Sequence, residues 1–111
     1  MRLDTSLPYL RGGSNTAQTT AGTTQATAAA MIGDAVCVPS AVEGSGLILP
    51  DANANDFFAV ANEDQANTVL VYPPVGAAFN GTTVNTPVTL ASATAALFFF
   101  TSPTKVICIF S

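Results

Sequence analysis

The sequence predicts an all-β fold: a small β-sandwich or barrel-like domain of about 7–8 short antiparallel strands behind an extended N-terminal arm. Two observations lead there. From residue 34 onward, short apolar runs alternate with clusters of Gly, Pro and Asn, the pattern of strands separated by turns. Residues 12–30, GGSNTAQTTAGTTQATAAA, carry no charge and nothing larger than Gln, so they cannot supply a core of their own. A chain of 111 residues has room for one domain. The division is expected at residue 30, with an arm and Thr/Ala-rich linker over 1–30 and a β-domain over 31–111.

In the arm, Met1, Leu3, Leu7, Pro8, Tyr9 and Leu10 cluster with Arg2 and Arg11. That composition suits a docking peptide, and an ordinary frayed terminus is the other reading. The alanines of 12–30 favour helix, but Thr16, Thr19, Thr20, Thr23, Thr24, Thr27 and Gly22 oppose it through β-branching and backbone freedom. Strands are expected over 35–38, 46–49, 57–61, 68–72, 77–79, 88–91, 96–100 and 106–110. The turns between them follow from Glu43-Gly44-Ser45-Gly46, the loop 62–67, Pro73-Pro74-Val75-Gly76, Asn80-Gly81 and Ser102-Pro103-Thr104. Asn-Gly tolerates the positive φ of a two-residue hairpin, and Pro103 presets φ for the last turn.

The last two strands, Leu97-Phe98-Phe99-Phe100 and Val106-Ile107-Cys108-Ile109-Phe110, are apolar on both alternating faces. A half-exposed strand would place polar residues at every second position. One face can pack on the core of so small a domain, and the second needs a partner. Phe98, Phe99, Phe100, Ile107, Ile109 and Phe110 are therefore the candidate oligomer interface, in a homo-oligomer.

Charge is scarce. Three Lys+Arg and seven Asp+Glu make 9% of the chain, against about 25% in ordinary domains, while 49% is apolar. His and Trp are absent and the net charge is −4, which removes the commonest general base, the commonest metal ligand and a phosphate-binding surface. No catalytic, cofactor or metal site is expected, and no nucleic-acid partner. Neutral Thr, Ser, Ala and Asn fill the positions that Lys and Glu usually occupy, which suits a permanent assembly; a Thr-rich β surface is the plainer reading.

The opening residues are broken by Asp4 and Pro8, so no export signal is expected. The run 93–110 is interrupted by Thr94, Thr101, Ser102, Pro103, Thr104 and Lys105, so no membrane partner is expected. Cys37 and Cys108 read as buried free thiols, with a disulfide as the alternative.

The remaining motifs are weak. Residues 51–56 space oxygen ligands like the start of a calcium loop, but Asp56 stands where glycine turns the chain and Asn62 where a bidentate Glu is needed. Glu63 and Asp64 are adjacent carboxylates in a six-residue hairpin loop rather than a cleft. Gly44-Ser45-Gly46 lacks the rest of a phosphate loop, and Asn80-Gly81-Thr82 reads as a turn before it reads as a glycosylation acceptor. Without His no Ser-His pair exists.

The runs Gly33-Asp34-Ala35-Val36-Cys37-Val38-Pro39, Phe58-Ala59-Val60-Ala61-Asn62, Ala66-Asn67-Thr68-Val69-Leu70-Val71-Tyr72-Pro73, Gly76, Phe79-Asn80-Gly81, Asn85 and Val88-Thr89-Leu90-Ala91 together resemble small virion proteins of tailed bacteriophages, with Phe79 where Ile is usual. The resemblance implies a capsid decoration (cement) protein or a related head-fibre or tail component. Such a protein is non-enzymatic and typically trimeric, is made in the host cytoplasm, sits on the head exterior and has the major capsid protein as partner. On that reading Met1, Leu3, Leu7, Tyr9, Leu10 and Arg11 form the capsid-binding arm. The alternative is a receptor- or carbohydrate-binding module of a phage fibre or tail, using the loops 51–56 and 62–67.

Overall fold

A computed structural model describes residues 16–111; the arm residues Met1, Leu3, Leu7, Tyr9, Leu10 and Arg11 lie outside the described residues. All the regular elements described are strands: β1 (Thr16–Ala17), β2 (Ala29–Ala30), β3 (Ala35–Val38), β4 (Gly46–Ile48), β5 (Phe57–Asn62), β6 (Val69–Tyr72), β7 (Ala78–Phe79), β8 (Val88–Leu90), β9 (Thr94–Ser102) and β10 (Lys105–Phe110). They form a six-stranded sheet A in the order β1-β3-β5-β9-β10-β7 and a four-stranded sheet B in the order β2-β4-β6-β8.

The all-β expectation holds, and the antiparallel sandwich or barrel does not describe the chain's path. Through β6 the chain passes alternately between the two sheets, so successive turns stack as coils. Thr16 lies beside Val36 and Val36 beside Val60, while Ala29 lies beside Leu47 and Leu47 beside Val71, all in parallel register. Short connections between facing sheets produce this stacking as readily as a hairpin, and an apolar run has the same composition either way. The stack then reverses. β8 joins β6 and β9 joins β5 antiparallel, the β9–β10 hairpin extends sheet A, and β7 forms its far edge parallel to β10.

Alternation assigns the faces. Val36, Val38, Phe58, Val60, Phe98, Phe100 and Val106 of sheet A meet Leu47, Val69, Val71 and Leu90 of sheet B in one core. Phe58 and Phe100 stack edge to face at 5.7 Å, and Phe79 lies 5.5 Å from Phe98.

Residues 16–30, expected in the linker, instead contribute a strand to each sheet. Buried Gln18 explains how so polar a segment can end the core. Its Nε2 donates to the carbonyls of Thr19 and Ala30, and its Oε1 accepts from the Ile32 N–H. The segment between the two strands also folds over sheet B: Tyr72 Oη donates to the Thr23 carbonyl, and Gln25 Nε2 to the Pro73 carbonyl.

Two turn assignments change. Asn80-Gly81 does not join a β7–β8 hairpin, because β7 pairs with β10 in sheet A while β8 lies in sheet B. The loop 62–67 is a corner between sheets rather than a hairpin loop, since β5 and β6 belong to different sheets.

Candidate functional site

The outer face of sheet A is built from residues that alternate with the core. Three rows run across the strands in register. One holds Phe57, Phe99 and Ile107; the next holds Ala35, Ala59, Leu97 and Ile109; the third holds Cys37, Ala61 and Ala95. None of these is charged. Leu97 is 47% exposed and Ile109 55%, with Phe57 and Ile107 also exposed. Sheet B differs, because its outer Tyr72 lies beneath the 21–27 segment and is buried. Among the described residues, this is a continuous apolar sheet surface open to water, the kind that marks an interaction site.

The expected interface residues divide across the strand. Phe99, Ile107 and Ile109 lie on this outer face, whereas Phe98 and Phe100 are fully buried in the monomer core and must be withdrawn from the interface. Period-two alternation forces the division: adjacent phenylalanines in one strand cannot share a face. Phe110 is exposed at the strand end, on the parity of Val106. The residues missed from the sequence are Phe57, Leu97 and the alanines of β3 and β5. Alternation against Val36, Val60 and Phe98 was the signal that could have found them.

Of the two adjacent carboxylates, Asp64 is committed to structure. Asp64 accepts hydrogen bonds from the N–H groups of Ala41, Ala66 and Asn67, each at 2.8 Å, and these hold its pKa down to about 2. Beside it, buried Asn62 donates through Nδ2 to the carbonyls of Asn67, Leu90 and Ala91 and accepts from the Asp64 N–H. In the 51–56 loop, Asp56 Oδ2 accepts from the Asn53 N–H, while Asn55 N–H donates to the Phe100 carbonyl. Both loops thus use polar side chains on backbone groups, within the loop and in neighbouring segments. Among the described residues, no three His, Cys, Asp or Glu side chains gather as a metal set.

Both cysteines are free and half-buried. Burial pushes the Cys108 thiol up to about 11. Cys37 is also raised, by desolvation first and then by the Glu63 carboxylate, so neither is an activated nucleophile. The Asn80 side chain serves sheet A instead of a hairpin, since its Oδ1 accepts from the Cys108 N–H at 2.9 Å on the edge that β7 leaves uncovered.

No protein-family model matches the chain, and no curated protein or solved structure matches it either.

Proposed function

We propose that the chain is a non-enzymatic structural protein of a tailed-bacteriophage virion: a capsid decoration (cement) protein that binds the major capsid protein as a homo-oligomer, a trimer, and stabilises the head from outside. The observation that carries this reading is the outer face of sheet A, apolar across β3, β5, β9 and β10 with no charged side chain in its three rows. A freely diffusing protein keeps such a surface small and rims it with mixed charge. A protein held permanently in an assembly covers it. The likeness of the 33–91 runs to small phage virion proteins supplies the kind of assembly.

In this reading the β-body supplies the contact between copies. Met1, Leu3, Leu7, Tyr9, Leu10 and Arg11 reach the capsid protein, where an extended segment can add main-chain hydrogen bonds to an exposed strand edge and multiply contacts across subunits. The test is co-sedimentation of purified chain with heads that lack it. Saturable binding at fixed stoichiometry, lost on deleting residues 1–15 while the oligomer persists, is the expected result. Chain that stays in the supernatant contradicts the reading.

A further inference from the structure

We propose that copies of this chain meet through the outer face of sheet A, with the bulky half formed by β9 and β10 of one copy seated on the alanine half formed by β3 and β5 of the next. This rests on the self-association in the reading above and assigns it a surface and a register. The face is uneven in a particular way. Leu97, Phe99, Ile107 and Ile109 stand on β9 and β10, whereas Ala35, Ala59 and Ala61 line β3 and β5 with Phe57 at one end.

Rotation about an axis parallel to the strands keeps the rows in order and reverses the order of the strands. β10 then faces β3 of the neighbour, and β9 faces β5. Ile109 falls over Ala35, Leu97 over Ala59, and Phe99 over Phe57, so each large side chain meets a small one or another ring. Facing rows that alternate large and small interdigitate without leaving voids.

The charged margin points to the same partner. β3 is parallel to β5, β5 is antiparallel to β9, and β9 is antiparallel to β10, so β10 runs in the direction of β3. Lys105, the one cationic side chain among the described residues, opens β10, and Asp56 immediately precedes β5. Within one copy β10 and β3 stand three strands apart, about 14 Å at the usual spacing. The rotation carries Lys105 to the Asp56 end of the neighbour. A second copy therefore supplies the relief that this face presents and sets opposite charges at its margin. A half turn makes the contact isologous and closes a pair, whereas a third of a turn sets the bulky half of each copy toward the alanine half of the next, so that the same strand pairing recurs three times in the trimer.

The decisive experiment is a cross-link in the full chain. With Cys37→Ala and Cys108→Ala removing the native thiols, Ala35→Cys and Ile109→Cys are introduced together. Three strands of separation exceed the roughly 7 Å between Cα atoms that a disulfide spans, so any bond formed on oxidation joins two copies. Covalent dimers or trimers on a non-reducing gel are expected, and monomer alone overturns the proposal. In parallel, Leu97→Asp should raise the dissociation constant of the oligomer at least about 100-fold, whereas Val75→Asp, at an exposed valine off this face, should leave it unchanged. An oligomer indifferent to Leu97→Asp also overturns the proposal, and should that variant fail to fold, the cross-link decides alone. Head binding by a chain that never cross-links would leave the decoration reading standing without this interface. A cross-linking oligomer that ignores heads would do the reverse.

Discussion

Asp64 accepts a hydrogen bond from the Ala41 N–H at 2.8 Å and so ties the corner after β5 to the connection between β3 and β4. With Ala66 and Asn67 also donating, its folded-state pKa of about 2 lies below the unfolded value of about 3.9. A depressed carboxylate stabilises the fold above its unfolded pKa and loses that contribution as pH falls through its folded pKa. Denaturant midpoints should therefore decline between about pH 4 and pH 2. Asp64→Asn should lower stability at pH 7, and its deficit against the parent chain should shrink by pH 2.

Asn62, 1% exposed, holds three carbonyls through one amide. Asn62→Ala leaves those acceptors unpaired and should cost about 2–4 kcal/mol, a fall in Tm of roughly 10–25 °C by thermal melting. Asn62→Asp should be at least as harmful, because a carboxylate has no proton to offer them.

Gly46 sits opposite Leu70, where β4 lies against β6. A Cβ there would lie 2.6 Å from the Leu70 carbonyl oxygen and 2.9 Å from the Tyr72 ring. Gly46→Ala should therefore destabilise the chain by about 1–3 kcal/mol in denaturant melts, despite the usual gain on replacing glycine.

Phe98 and Phe99 are neighbours with opposite roles. Phe98→Ala opens the core and should cost about 3–5 kcal/mol of unfolding free energy. Phe99→Ser, at a half-buried ring paired with Phe57 and Ile107, should cost the monomer about 1–2 kcal/mol, less than Phe98→Ala, and should weaken self-association as well. Chemical denaturation and sedimentation velocity, run on both variants, separate the two effects.

Most strands were legible in the sequence, because β-branched and aromatic runs bounded by Gly, Pro and Asn mark them almost regardless of how they pair. Their partners were not. Val36 and Val60 look the same whether a coil stacks one on the other or a hairpin brings them together, and the corner from Asn62 to Asn67 has the composition of a hairpin loop. The segment 16–30 concealed its strands because Gln18, a polar residue, ends the core there through hydrogen bonds that composition cannot show. The outer face was half legible: Ile107 and Ile109 stood out within an apolar hairpin, but its alanine half was hidden, since Ala35 and Ala59 acquire meaning only once register sets them beside Leu97.

Truncation exposes that concealed coil. Deleting residues 1–15 leaves the described strands whole, whereas deleting 1–30 removes β1, β2 and Gln18. The longer deletion should lower Tm by roughly 10 °C or more, measured by thermal melting of both forms.

The most direct test of the central claim, that the outer face of sheet A is covered by further copies, is sedimentation equilibrium of the full chain from about 1 to 50 μM, the range in which an interface of this kind is expected to hold. A mass at a whole multiple of 11.3 kDa is expected, falling toward the monomer for Leu97→Asp. A mass of 11.3 kDa for the unaltered chain across that range would contradict it.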